Sequence, residues 1–94
     1  MTTREKALKY IDRCTQRCGF FILPDGVRDT MADAFCLGYD DNGNECDIRD
    51  RADFAIRTDM RFNVASSFID SRTDLIDLYE AGYITRRKEL EDVL

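Results

Sequence analysis

The sequence predicts a mainly α fold, a compact bundle of four or five helices. Three observations predict it. Apolar residues recur every three or four positions along most of the 94-residue chain. Thr, Ser, Asp and Gly stand between those periodic stretches, where helices start and stop. The one proline, Pro24, belongs to a turn signal, Pro24-Asp25-Gly26. A chain of this length is expected to form one domain, residues 1–94, because about 100–150 residues usually share one core.

Thr2 or Thr3 caps the first helix. Thr2-x-x-Glu5 fits the capping-box spacing, which satisfies N–H groups that a first turn leaves unpaired. Ala7, Leu8, Ile11, Cys14 and Cys18 follow at helical spacing, and Lys6, Lys9, Arg13 and Arg17 form a separate basic stripe. Gly19 is the expected stop, since it accepts a left-handed backbone. Phe20–Leu23 is extended in character.

Residues 27–38 read as the second helix. Val27, Met31, Ala34, Phe35 and Gly38 fall on one side, with Asp25, Asp29 and Asp33 opposite. A rival reading makes Ala34–Tyr39 and Glu45–Arg49 a β-hairpin around Asp41-Asn42-Gly43. With Phe20–Leu23 as a further strand, that gives a small α+β fold. Residues 40–44 are a loop either way.

From about Asp47 to Asp70 the pattern is helical again. Ile48, Ala55, Phe62 and Ile69 repeat every seven residues, and Met60, Val64 and Phe68 make a second apolar line. A helix apolar on two sides belongs at the centre of a bundle. A break at Thr58-Asp59 is the alternative.

Ser71 or Thr73 starts the next helix, with Leu75, Ile76, Leu78 and Tyr79 apolar. Gly82 is expected to end it, and Thr85 to cap a last helix through Leu90, Val93 and Leu94. Leu78–Thr85 therefore reads as an αα-hairpin connection. It resembles the short C-terminal helical hairpins of many bacterial and phage proteins, the SHOCT type among them; that resemblance implies no function.

Composition narrows the function. The chain carries 44% apolar residues with six Phe and four Tyr, enough for a core. Its longest apolar run, Phe20–Leu23, falls far short of the ~20 residues a membrane span needs. The charged start does not resemble a signal peptide, so a cytoplasmic location is expected. Histidine is absent, which removes the commonest general base and metal ligand. The net charge of −5 is uneven: residues 1–24 sum to +3, 25–59 to −6 and 60–94 to −2. An acidic surface repels a phosphate backbone, so direct nucleic-acid binding is not expected.

Four cysteines invite a metal reading. Cys14 and Cys18 sit one helical turn apart, and Cys36 and Cys46 would complete four sulfur ligands. The spacing is not that of common zinc ribbons, and the first pair shares the face of Ala7 and Ile11. Free buried thiols are the plainer expectation, with no cofactor. A cysteine nucleophile lacks a base to activate it. Gly38–Gly43 looks like a calcium loop, but an EF-hand register would put Gly38 and Arg49 where carboxylates are required. Arg86, Arg87 and Lys88, in the first turn of the expected last helix, suggest a small DNA-binding regulator, against the acidity of the chain.

The aspartates are the most distinctive surface feature. Asp25, Asp29 and Asp33 form one stripe; Asp70, Asp74 and Asp77, with Glu80 near, form another. Asp40, Asp41, Glu45, Asp47, Asp50 and Asp53 cluster between them. Carboxylates on a rigid scaffold can imitate a phosphate backbone and steer onto a basic surface. The sequence thus points to a non-enzymatic interaction or inhibitory module for a basic protein partner, a phage-type or anti-CRISPR-like inhibitor being one form. Phe54, Phe62 or Phe68 offers an additional homodimer contact.

Overall fold

The computed structural model describes residues 1–17, 25–59, 62 and 72–93. Among them stand α1 (Thr3–Arg17), α2 (Asp25–Tyr39), a 3-10 turn (Glu45–Asp47), α3 (Ile48–Thr58) and α4 (Arg72–Val93). The protein is a small, mainly α bundle. The rival β-hairpin does not form: residues 34–39 lie inside α2, and 45–49 form the 3-10 turn and the start of α3. The physical reason is visible in Ala34 and Phe35, which are adjacent and both buried. A strand would have pointed them to opposite faces. Gly19, Phe20–Leu23, Met60, Val64, Phe68 and Ile69 lie outside the described residues.

α1 begins as its capping sequence requires. The Glu5 N–H donates to Thr2 Oγ1 at 3.1 Å. Its apolar face then buries Ala7 and Ile11 completely, while Tyr10 packs its ring on Phe35 with centroids 5.5 Å apart.

α1 packs on α2, α2 on α4, and α4 on α3. Among the described residues the central helices are therefore α2 and α4, not α3. α3 stops at Thr58: Asp59 turns extended, and its N–H closes the helix on the Ala55 carbonyl at 3.1 Å. The break at Thr58-Asp59 is the alternative that holds. α3 buries one line, Ile48, Ala52 and Ile56, as suits an outer helix.

α4 corrects the expected αα-hairpin. It runs unbroken through Gly82 and Thr85, so the likeness to C-terminal helical hairpins lapses with the turn. Gly82 serves packing instead. A Cβ there would collide with the Phe35 carbonyl oxygen, and a Cβ at Gly38 with the Tyr79 carbonyl. The two glycines let the backbones of α2 and α4 touch where they cross. Around that crossing lie Phe35, Leu75, Leu78, Tyr79 and Tyr83, each at most 6% exposed. Burial of one such side chain is worth about 1.5–3 kcal/mol. Among the described residues, no helix is long and apolar enough to cross a membrane.

Candidate functional site

The structure divides the acidic residues into two groups. One group is neutralised inside the molecule. Arg4 of α1 reaches Asp29 at 2.6 Å and Asp33 at 3.3 Å, so that stripe faces a neighbouring helix. Arg28 returns the contact to Asp12 at 2.7 Å. Arg49 of α3 binds Asp77 at 3.1 Å and Glu80 at 2.6 Å. Arg57 lies 4.0 Å from Asp53 one turn away. The basic first segment and the acidic second segment thus meet each other within one fold.

Among the described residues Asp41 is the most enclosed of the candidate acids, its side chain 5% exposed. Oδ1 accepts the Gly43 N–H at 2.7 Å, Oδ2 accepts the Tyr79 hydroxyl at 2.6 Å, and Arg51 Nε donates to both oxygens at 3.1 and 2.9 Å. Burial alone would raise the Asp41 carboxyl. The hydrogen bonds from Arg51, Tyr79 and Gly43 outweigh it and hold the group below its ordinary value. Burial, then the bond to Asp41, pushes the Tyr79 phenol well above its ordinary range.

The loop is held from above as well. The Gly43 carbonyl accepts from the Tyr83 hydroxyl at 2.7 Å and from Arg87 Nη2 at 2.9 Å. Arg51 and Arg87 both lie over the Tyr83 ring, 5.9 and 5.0 Å from its centroid. Arg51 Nη2 is buried with no hydrogen-bond partner among the described residues; the ring contact is what its guanidinium gains there. Three donors hold the Asp41 carboxylate, with the Arg51 Nε–H shared between its two oxygens. It therefore fixes the α2–α3 connection to α4 and is not set to take a proton from a substrate.

The second group of acids is turned outward. Asp40, Glu45, Asp47 and Asp50 are exposed on the connection and on the first turn of α3. Phe54, one turn beyond Asp50, is 62% exposed. Phe62 is instead partly buried against the core, and Phe68 lies outside the described residues. Asp74, also exposed near the start of α4, is not one of this outward group, since it has an interaction partner. The side chain of Asp25 and all of Asp70 lie outside the described residues.

Arg86, Arg87 and Lys88 do not open a recognition helix. They stand in the middle of α4. Arg86 lies 5.3 Å from the Tyr39 ring centroid, and Arg87 is engaged with Tyr83 and Gly43. Near them Lys6 donates to Tyr39 at 2.9 Å and pairs with Glu89 at 2.8 Å, and the Tyr39 hydroxyl donates to Glu89. The hydrogen bond from Lys6 is the main reason Glu89 sits below its ordinary value.

The thiols divide too. Cys14 and Cys36 are partly buried, Cys46 is exposed, and all three are free; Cys18 lies outside the described residues. Exposure of Cys46 departs from the expected burial, because the 3-10 turn buries none of its residues. Burial, then Asp33, pushes the Cys36 thiol up, away from the thiolate a ligand or nucleophile needs. No group of three or more Cys, Asp or Glu among the described residues is placed to hold a metal ion.

Periodicity could have found the residues that matter most here. Tyr79, Tyr83 and Arg87 are spaced four apart and share one helical line. Reading Gly82 as a stop cut that line in two. The chain matches no known family model, no curated protein and no solved structure.

Proposed function

We propose that this protein is a non-enzymatic interaction module. Its working surface is the ridge of Asp40, Glu45, Asp47 and Asp50, with Phe54 beside it, and its partner is a protein with a basic surface. An inhibitor that imitates a phosphate backbone toward a nucleic-acid-processing complex is the most concrete form. The observation that carries the reading is the division of the acids. Asp29, Asp33, Asp41, Asp77 and Glu80 are bound by arginines of the same chain, whereas the four ridge residues are exposed. The Asp41 network supports the reading by holding the ridge in place beforehand, which lowers the ordering cost of binding. Phe54 adds the kind of aromatic anchor that interfaces favour.

The test is a pull-down at low and high salt, read by mass spectrometry, with three baits. These are the native chain, Asp40→Lys/Glu45→Lys/Asp47→Lys/Asp50→Lys, and the control Asp29→Asn/Asp33→Asn. The expected result is a basic protein retained by the native chain and the control, released by salt, and absent from the ridge variant. Retention of the same protein by the ridge variant, or no salt-sensitive partner at all, overturns the proposal.

A further inference from the structure

Among the described residues, one face of α4 is left uncovered. Leu75, Ile76, Leu78, Tyr79, Gly82 and Tyr83 turn inward. The opposite stripe, Asp77, Glu80, Ala81, Ile84, Thr85 and Lys88, forms with Tyr10 of α1 an open groove of about 370 Å³. Ile84 is 40% exposed in it. Tyr10 borders the stripe on the α1 side, and Arg49 reaches Asp77 and Glu80 from the α3 side.

The stripe is complementary to itself. In two antiparallel copies of α4 related by a twofold axis between Ala81 and Ile84, Asp77 faces Lys88 of the other copy. Glu80 then faces Thr85, and Ala81 faces Ile84. The apolar pair falls at the centre and the charges at both ends, as an isologous interface requires. The charge count also closes. Asp77 and Glu80 share the single cation of Arg49, leaving one negative charge at that end. Lys88, exposed at the other end, makes no ion pair among the described residues. The parallel arrangement would set Asp77 against Asp77 and Lys88 against Lys88, so charge selects the antiparallel one. Beyond this stretch Asp74 would face Glu91, a like-charged pair, and the match ends after about three turns, roughly 16 Å of helix.

We propose that the occupant of this groove is a second copy of the chain, paired antiparallel through α4. This is independent of the acidic ridge and of the Phe54 face. Three helical turns bury less than the ~800 Å² per partner of a standard interface, so the dimer is of micromolar strength or weaker. Ile84 and Ala81 supply the apolar contact; the Asp77–Lys88 pairs set direction and register.

Sedimentation velocity over a concentration series tests it, with circular dichroism confirming that each variant is folded. The native chain should show a monomer–dimer equilibrium. Ile84→Arg, at an exposed position that leaves the core untouched, should be monomeric. Lys88→Asp and Asp77→Lys should each weaken self-association by about tenfold. Mixing those two variants should restore it, because each then offers the charge the other lacks at both ends. A native chain monomeric at about 1 mM overturns the proposal. So does a dimer that survives Ile84→Arg, or two charge variants that fail to associate on mixing while both are folded.

Discussion

Along its α1 side, α2 meets its neighbour partly through exposed charge: Arg4 with Asp29 and Asp33, and Arg28 with Asp12. Along its α4 side it meets the next helix through two glycines and an apolar crossing, closed at the end by the enclosed Asp41 network. Both seams contain aspartate and arginine, but they answer to different physics. Ion pairs in water are screened and contribute little. A backbone contact has no slack, and an enclosed carboxylate must keep all its donors. The neighbours Asp40 and Asp41 show the contrast at one peptide bond. The first is exposed and the second ties three elements together.

That contrast can be broken, most severely at the crossing. Gly82→Ala in an ordinary helix interior would gain about 0.5–1 kcal/mol. Here it should cost about 3 kcal/mol, because the new methyl meets the Phe35 carbonyl. Urea unfolding gives the sign directly, and a stabilised variant would mean that α2 and α4 do not touch. Asp41→Ala is next. It should cost about 1–3 kcal/mol, chiefly by leaving the buried Tyr79 phenol without its acceptor. Asp40→Ala should stay within about 0.5 kcal/mol in the same assay.

Acid provides a subtler probe. Asp41 and Glu89 are held below their ordinary values in the folded state. Their stabilisation is therefore complete above the unfolded carboxylate range and is lost as pH falls through the folded values. Asp41→Asn should be less stable near neutrality yet flatter across the acid limb, as a pH series of thermal melts would show. The smallest effect belongs to the α1 seam. Arg4→Ala should lower the melting midpoint less than any change at Asp41, and added salt should erase the difference. A loss that persists in high salt would place the α1 seam in the same class as the crossing.

Much of the fold was legible before any coordinates. The capping of α1 by Thr2, the helical identity of α2 over the rival hairpin, and the turn at Asp41–Gly43 all rest on local chemistry. So does the break at Thr58-Asp59, which the sequence supports as well as it supports one long helix. The candidate site was legible only as a set of aspartates. Which of them the molecule uses internally depended on Arg4, Arg49 and Arg51, residues 10 to 31 positions away from the acids they bind.

Periodicity, caps and charge by themselves determined a helical chain with a basic start and an acidic middle, because those properties act within a few residues. Only the tertiary structure decided that α2 and α4 are central and that Gly82 is a contact and not a terminus. Glycine permits both a helix end and a close approach, and only a neighbouring helix distinguishes them. The same holds for the carboxylates. A sequence shows that a charge exists, but whether it is neutralised depends on what folds against it.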